Sequence, residues 1–282
     1  MSYLHAIILG ALQGMTELFP ISSLGHSVLL PHILHWNIDE SSNYFLIFLV
    51  ATHLATSLML FVFYRKDWVK IISGMFRSLK EREISDKNPY GKLGWLLVVG
   101  TIPAGILGLL FEDKLQALFA SPIPVSLFLM LNGILLLSVE FLKKRKINSS
   151  EKSAEEIAKI TWAQSVKIGL WQCLALLPGF SRTGSTLGGS LIEGLEYSNA
   201  AYFSFLLATP IIFAAAVLKL PELAGNYPTK DILTILIGSL FAAIAAYVSV
   251  QYLSNYFKTK TLRPFGYYCL IAGALCLLFF IL

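Results

Sequence analysis

Residues 10–26 read GALQGMTELFPISSLGH, and residues 169–185 read GLWQCLALLPGFSRTGS. Both stretches place Gly, Gln, Ser and Gly at the same spacing without a gap, 159 residues apart (169 − 10). Each stretch has a proline just before its serine, Pro20 in the first and Pro178 in the second. Proline interrupts a helix because it lacks an N–H group and clashes with the preceding turn. The sequence therefore predicts an internal duplication that carries two broken helices.

The composition indicates an integral membrane protein. Apolar residues make up 56% of the 282 residues, charged residues make up 14%, and the mean hydropathy is +0.67. A soluble domain has about 45–50% apolar and about 25% charged residues. Six apolar runs reach the length of about 20 residues that a helix needs to cross a bilayer. These runs cover residues 44–64, 93–111, 123–142, 199–219, 231–256 and 264–282.

The two broken regions, 3–35 and 160–196, are also apolar, but their prolines divide them into pieces too short to span a bilayer. We expect each region to form a re-entrant helical hairpin. The segments 65–92, 143–167 and 258–263 hold 18 of the 22 Lys and Arg residues. The positive-inside rule places these three segments in the cytoplasm. The first hairpin then enters the membrane from outside and the second enters from inside.

The predicted fold is an all-α integral membrane protein with an inverted-topology repeat. The first repeat covers 1–145, a cytoplasmic linker covers 146–158, and the second repeat covers 159–282. Each repeat has one re-entrant hairpin and three transmembrane helices. Inverted repeats with broken helices commonly hold a binding site near the membrane midplane, where the repeats meet. The two hairpin tips are therefore expected to meet each other.

Ionisable residues inside a bilayer are costly and are usually functional. Glu140 lies beside a basic run and is expected at the interface, and a solvated role is favoured for Glu193. A buried, hydrogen-bonded role is favoured for His53. Arg182 needs a partner, because an apolar pocket cannot hold an unpaired guanidinium. The short list of candidate ionisable residues within the apolar segments is Glu17, His26, His53, Glu140, Arg182 and Glu193.

The first stretch combines polar side chains in a helical arrangement. Gln13 and Glu17 are four residues apart and so share one helix face. Ser22 and Ser23 follow the proline, where a new helix would begin. Serine is a good N-cap, and free N–H groups at a helix start attract anions. His26 lies one turn further on.

The second stretch supplies a cation and more hydroxyl groups. Ser181 is placed to cap the helix that follows the break, and Arg182 comes next. A guanidinium binds two phosphate oxygens at once, and glycines allow close approach to the backbone. Together the two stretches predict an anion cradle suited to phosphoryl transfer. The residues expected to bind the anion are Gln13, Ser22, Gly25, Ser181, Thr183, Gly184, Ser185 and Thr186.

At these residues the sequence resembles the undecaprenyl pyrophosphate phosphatase family, the bacterial bacitracin-resistance proteins. One family motif is (Glu/Gln)-x-x-x-Glu with a serine-rich turn, here 13–26, and the other is Pro-Gly-x-Ser-Arg-(Ser/Thr), here 178–183. The resemblance covers essentially the whole chain. It implies hydrolysis of undecaprenyl pyrophosphate to the monophosphate, which recycles the lipid carrier of peptidoglycan synthesis. It also implies bacitracin resistance, with bacitracin competing indirectly by binding the substrate.

The resemblance also implies residue roles and a location. Glu17, His26, Ser23 and Arg182 would be catalytic, and Glu17 would hold Mg²⁺ or Ca²⁺. Gln13 stands where many family members have glutamate, which removes one possible metal ligand.

The protein would be a multi-pass protein of the bacterial inner membrane with its site facing the periplasm. Its partners would be the isoprenyl pyrophosphate lipid and membrane lipid, with no nucleic acid, and the choice between monomer and homodimer is left open.

The sequence also leaves the mechanism open. We expect Arg182 and hairpin N–H groups to hold the pyrophosphate and the cation to bridge it to Glu17. Either His26 activates a nucleophile, which is Ser23 or water, or His26 attacks the phosphorus itself. A transporter is the competing class, because inverted repeats are a transporter architecture. The pairing of Glu17 with His26 favours an enzyme, and a purely structural subunit would leave Arg182 unexplained.

An isoprenoid tail needs an apolar surface that is open to lipid. Two helix faces carry small residues at helical spacing, one with Gly100, Ala104 and Gly108 and the other with Gly238 and Ala242. Small residues in membrane helices usually mark close helix packing. Packing is therefore favoured over a lipid groove for both faces.

Overall fold

The computed structural model describes residues 1–111, 121–143, 152–223 and 227–282. Over these residues the secondary structure is helical and contains no β-strand. In chain order the α-helices are α1 (Tyr3–Thr16), α2 (Ser23–Ile33), α3 (Asn43–Phe63), α4 (Arg65–Glu81), α5 (Pro89–Leu110), α6 (Pro122–Leu142), α7 (Ala154–Ile157), α8 (Trp162–Gln172), α9 (Arg182–Ile192), α10 (Tyr197–Lys219), α11 (Thr229–Tyr256) and α12 (Arg263–Ile281).

Six of these helices are long and apolar enough to cross a membrane, namely α3, α5, α6, α10, α11 and α12. Each overlaps one predicted apolar run, so the prediction of an all-α membrane protein is confirmed. Helix α5 begins earlier than predicted, at Pro89. The side chain of Asn88 accepts a hydrogen bond from the Gly91 N–H at 3.1 Å, and proline suits the first helical position.

The predicted division into repeats lies partly outside the described residues. Residues 144–151 are not among the described residues. They include the end of the predicted first repeat, 1–145, and the start of the predicted linker, 146–158. The rest of the linker contains α7, which Ser153 caps by accepting a hydrogen bond from the Glu156 N–H at 3.2 Å. The boundaries of the two repeats therefore stay a prediction.

Both broken regions form a pair of short helices that is interrupted where predicted. In the first, α1 ends at Thr16 and α2 begins at Ser23. Ser22 has a φ of 68° and accepts a hydrogen bond from the Gly25 N–H at 3.1 Å. In the second, a 3-10 helix, Cys173–Leu176, follows α8 before the chain turns. Both interruptions thus replace helical hydrogen bonds with side-chain caps.

The second turn needs a glycine. Gly179 has a φ of +116°, which side-chain-bearing residues rarely adopt, and an added Cβ would lie 2.5 Å from the Val125 carbonyl oxygen. Two residues later, Ser181 accepts a hydrogen bond from the Gly184 N–H at 3.1 Å. The two predicted serine caps, Ser22 and Ser181, are therefore confirmed.

Small residues bring the short helices close to the long ones. An added Cβ on Gly10 would overlap the Gly238 carbonyl oxygen, and one on Gly14 would overlap that of Ala242. The predicted packing face on α11 is therefore confirmed, with α1 as its partner. Similarly, an added Cβ on Gly169 would overlap the carbonyl oxygen of Gly100 on α5.

Glu140 and Glu193 are less exposed than an interfacial or solvated role suggests. The Glu140 side chain is 3% exposed and accepts hydrogen bonds from the Lys143 ammonium at 2.7 Å and the Leu262 N–H at 2.7 Å. The Tyr197 hydroxyl also donates to it. Glu140 thereby ties the end of α6 to the starts of α10 and α12. The Glu193 side chain is 13% exposed and lies 3.4 Å from the Lys167 ammonium.

Candidate functional site

The two helix interruptions lie against each other, as predicted. Asn132 on α6 bridges them, because its Nδ2 atom donates to the Pro20 carbonyl at 3.0 Å and its Oδ1 atom accepts from the Ser181 N–H at 3.0 Å. Asn132 is fully buried. Asn132 was not among the residues predicted from the sequence, although a lone asparagine inside an apolar span is a usable signal.

Direct hydrogen bonds also join the two tips. The Ser181 hydroxyl lies 3.3 Å from the Phe19 carbonyl oxygen, and the Thr183 hydroxyl donates to the Glu17 carbonyl at 3.0 Å. Backbone carbonyls freed by the first interruption thus receive partners from the second. The two tips therefore hold each other in one arrangement.

The Glu17 carboxylate is the centre of the site. Its Oε1 atom accepts a hydrogen bond from Nη2 of Arg182. Its Oε2 atom accepts from the Ser23 hydroxyl and from Nε2 of Gln13 at 3.0 Å, and it lies 3.1 Å from Nε2 of His53. A buried charge is stable only when it is paired and hydrogen-bonded. Glu17 is thus the partner that Arg182 requires.

His53 is a site residue that the sequence analysis interpreted as structural. Its Nδ1 atom lies 2.7 Å from the Leu49 carbonyl oxygen within α3, which fits the favoured buried role. Its Nε2 atom, however, faces the Glu17 carboxylate. The position of His53 in the middle of an apolar span was the available signal, but only the packing of α3 shows which carboxylate it meets.

His26 has a different environment from the other predicted catalytic residues. Its Nδ1 atom lies 2.6 Å from the Ser22 carbonyl oxygen, and its Nε2 atom lies 2.7 Å from the Tyr268 hydroxyl on α12. The two rings also stack, with centroids 5.7 Å apart. The structure therefore brings Glu17, Ser23 and Arg182 together and places His26 beside α12.

A cavity of about 250 Å³ opens at the carboxylate. Its polar wall is formed by Glu17, Ser23, His53, Ser181 and Arg182. The rest of its wall is apolar, and most of that part is shared with a second, more apolar cavity of about 320 Å³. Together they form a groove with one polar end, which is the shape that an amphipathic ligand requires.

The apolar part of this groove, here called the tail groove, runs between α5 and α10. Ala104, Gly105 and Gly108 line it from α5, and Ile211 and Leu218 line it from α10. Ala104 is both packed, being only 2% exposed, and part of the groove wall, and the packing interpretation stays a prediction for Gly108. It holds for Gly100, which packs on Gly169. The small residues at 104, 105 and 108 leave the space that the groove occupies.

Three buried polar atoms at the tips have no hydrogen-bond partner among the described residues: Oε1 of Gln13, Nη1 of Arg182 and the hydroxyl of Ser185. Buried polar atoms are normally paired, so such atoms suggest a group that binds there. Oε1 of Gln13 and the Glu17 carboxylate are oxygen ligands of the kind that Mg²⁺ and Ca²⁺ prefer. The described residues contain no group of three His, Cys, Asp or Glu that could hold a metal.

Comparison with known proteins gives the family. The sequence model described as "Bacitracin resistance protein BacA" matches residues 6–275. The chain belongs to this family. One similar protein is Undecaprenyl-diphosphatase 2 of Chromobacterium violaceum, 45% identical over 284 residues that cover 99% of both chains. Another is Undecaprenyl-diphosphatase of Mycolicibacterium paratuberculosis, 43% identical over 97% of this chain and 95% of the relative.

A third relative is Undecaprenyl-diphosphatase of Gluconacetobacter diazotrophicus, 44% identical over 100% of this chain and 98% of its own length. The resemblance drawn from the two motifs is thereby confirmed. The match also covers almost the whole length of both chains. Both tips and five of the six long helices of this BacA family member lie within the matched region, and the sixth, α12, extends beyond it to Ile281.

The remaining predicted binding residues support the tips in this BacA family member. The Thr186 hydroxyl donates to the Arg182 carbonyl at 2.9 Å, within α9. An added Cβ on Gly25 would lie 3.2 Å from Cα of Gly179, and one on Gly184 would lie 3.3 Å from Cβ of Pro20. These two glycines therefore let the tips pack on each other. Their roles in binding substrate stay a prediction.

Proposed function

We propose that this protein hydrolyses undecaprenyl pyrophosphate to undecaprenyl phosphate and inorganic phosphate at the two tips. The observation that carries the proposal is the meeting of Glu17, Ser23 and Arg182 at the polar end of the tail groove. Relatives that match over nearly their full length are named for this activity. The reaction recycles the lipid carrier of peptidoglycan synthesis and so supports bacitracin resistance.

The groove has a charged end for the pyrophosphate and an apolar part for the isoprenyl tail. Nη1 of the Arg182 guanidinium is buried and has no partner among the described residues, and a planar guanidinium fork binds two phosphate oxygens at once. The pyrophosphate is therefore held at Arg182. The isoprenyl tail lies in the tail groove, where burial of apolar surface contributes about 25 cal/mol per Å².

Ser23 is the proposed nucleophile and Glu17 its base, because the Ser23 hydroxyl already donates a hydrogen bond to Oε2 of Glu17. The Ser23 oxygen attacks the terminal phosphorus, its proton passes to Glu17, and the bond to the bridging oxygen breaks. Glu17 returns that proton to the departing undecaprenyl phosphate. Water then attacks the phosphoserine, Glu17 accepts its proton, and the proton returns to Ser23 as phosphate leaves.

The two histidines have supporting roles in this scheme. His53 contacts the carboxylate of Glu17 through its Nε2 atom, at 3.1 Å. His26 holds the turn that presents Ser23, through the Ser22 carbonyl and the Tyr268 hydroxyl. Because both ring nitrogens of His26 have these partners, attack by serine is favoured over attack by the imidazole.

A divalent cation, Mg²⁺ or Ca²⁺, is part of the proposal. The Glu17 carboxylate and Oε1 of Gln13 would hold it, and it would neutralise negative charge on the pyrophosphate. The amide oxygen of Gln13 is buried and has no hydrogen-bond partner among the described residues. The remaining ligands would be phosphate oxygens and water.

The two halves are proposed to form an inverted repeat of re-entrant hairpins in the bacterial inner membrane, with the site open to the periplasm. Two contacts support the repeat. Gly10 of the first half packs on Gly238 of the second, and its counterpart Gly169 packs on Gly100 of the first half. Each broken helix thus packs on a long helix of the other half. The basic segments support the orientation.

The direct test is phosphate release from a long-chain isoprenyl pyrophosphate by the purified protein in detergent. Mg²⁺, Ca²⁺ and a chelator are compared for the wild type, Glu17→Ala and the control Arg77→Ala, whose exposed side chain pairs only with Glu81 among the described residues. We expect metal-dependent release by the wild type and the control and none by Glu17→Ala. A well-folded wild type without release under any condition would instead support a transporter, to be followed by lipid flux in liposomes.

A further inference from the structure

We propose that a divalent cation enters this site only together with the pyrophosphate, so that the metal–pyrophosphate complex is the species that binds; this rests on the proposed function. The protein alone would then have little affinity for the cation. Arg182 would couple the two binding events, and Gln13 would be the residue that makes the coupling necessary.

Among the described residues that line the cavity, Glu17 is the one carboxylate, and both of its oxygens already have partners. Oε1 of Glu17 is bonded to Arg182, and Oε2 has contacts with Gln13, Ser23 and His53. The charges of Glu17 and Arg182 cancel, so no net negative charge draws a dication into the cavity. Mg²⁺ loses its hydration water reluctantly and is usually held by one or two carboxylates plus substrate phosphates.

Gln13 further lowers the affinity of the protein alone for a dication. Its Nε2 atom donates to Glu17, and its Oε1 atom is a neutral oxygen that is fully buried. A glutamate at this position could not donate that hydrogen bond, and it would add a second negative charge beside Glu17. Such a pair would bind a dication without help. With glutamine, the second negative group must come from the pyrophosphate.

Arg182 can exchange its partner when the pyrophosphate arrives. Nη1 of Arg182 is buried and has no partner among the described residues, whereas Nη2 is bonded to Glu17. Phosphate oxygens that engage the guanidinium compete with Glu17 for Nη2. Oε1 of Glu17 is then released from Arg182 and becomes available to the cation. Because binding free energies are linked, the cation strengthens pyrophosphate binding by the same factor.

Equilibrium dialysis tests the proposal with Mn²⁺ as the cation. The purified wild type in detergent is dialysed against Mn²⁺ alone and against Mn²⁺ with methylenediphosphonate, a pyrophosphate analogue that cannot be hydrolysed. Empty micelles give the background. We expect the apparent dissociation constant for Mn²⁺ to fall by about tenfold or more with the analogue. Arg182→Ala, which lacks the exchanging group, is expected to lose this effect.

Gln13→Glu is the converse variant, and Gln172→Glu is its matched control. Gln172 occupies the equivalent position of the second stretch, is buried, and has no hydrogen-bond partner among the described residues. Gln13→Glu is expected to bind Mn²⁺ without the analogue, and Gln172→Glu is not. Thermal unfolding shows whether each variant folds. If a variant does not fold, Mn²⁺ binding by the wild type with and without the analogue still tests the proposal.

Wild-type protein that binds Mn²⁺ equally with and without the analogue would overturn the inference. Absence of Mn²⁺ binding in both conditions would overturn it as well. These outcomes differ from a failure of the proposed function. Coupled binding of Mn²⁺ and the analogue without phosphate release from the lipid would contradict the hydrolysis and leave the coupling intact.

Discussion

Nη2 of Arg182 donates a hydrogen bond to Oε1 of Glu17, a residue 165 positions earlier in the chain. The two residues belong to different copies of the duplicated stretch, and each copy lacks the partner that the other supplies. The first copy has the carboxylate and the hydroxyl proposed as nucleophile, and the second has the cation. The duplication therefore yields one site from two unlike halves.

Arg182→Lys tests whether the planar fork is required. Lysine keeps the positive charge but cannot bind two phosphate oxygens in parallel. Since the loss of one electrostatic donor typically lowers kcat by about 10²–10³-fold, we expect a loss of about that size from Arg182→Ala and a smaller loss from Arg182→Lys. Steady-state phosphate release measures both. Equal activity in the lysine variant and the wild type would show that charge alone suffices.

Comparison of Ser23→Ala with Ser22→Ala distinguishes a serine that takes part in the reaction from a serine that only caps a helix. Both hydroxyls are buried, but only Ser23 contacts Glu17, whereas Ser22 caps α2. We expect Ser23→Ala to abolish turnover. Ser22→Ala should keep turnover and lose about 1 kcal/mol of stability, which is typical of a lost N-cap. Acid quench of the wild type during turnover should trap phosphoserine at Ser23. Near-full turnover by Ser23→Ala would point to direct attack by water.

His53→Gln and His53→Leu test the role of the third helix in the site. A glutamine amide can still donate a hydrogen bond towards Glu17, whereas leucine cannot. We therefore expect the leucine variant to lose at least about tenfold more activity than the glutamine variant, which corresponds to about 1.4 kcal/mol. Measured kcat values decide this. Similar activity in both variants would mean that the contact between His53 and Glu17 is only structural.

Gly108→Leu tests the tail groove. An added Cβ at Gly108 would lie 3.6 Å from Leu176, an ordinary contact, so a larger side chain fills the groove without displacing the backbone. We expect a higher KM for a long-chain substrate and an unchanged KM for a pyrophosphate with a short tail. Gly14→Ala is the contrasting variant, because its Cβ would overlap the backbone of α11. It should lower stability by about 1–3 kcal/mol, as overpacking does.

Much of this architecture could be predicted because it follows from residue types along the chain. Lengths of apolar sequence located the six long helices, and two prolines followed by serines located the interruptions. The repeated spacing indicated that the interruptions form one site, and a guanidinium in an apolar segment indicated that Arg182 has a partner. All of these are local signals or simple electrostatic requirements.

The remaining features depend on packing that no local signal reports. His53 and His26 are both single histidines in apolar sequence, yet α3 turns the first towards Glu17 and α12 gives the second a tyrosine partner. The small residues on one face of α5 allow close helix packing at one point and line the groove at another. Gly100 packs on Gly169, whereas Gly108 lines the groove, because α8 and α10 approach α5 at different points.

The central claim is that Glu17 and Arg182 act at one pyrophosphate site. Phosphate release by Glu17→Gln, Arg182→Ala and the double variant tests it directly, with folding checked by thermal unfolding. Residues that act as one unit are non-additive, so the double variant should be no less active than the more impaired single variant. Losses that multiply in the double variant would show that the two residues act independently and would contradict the account.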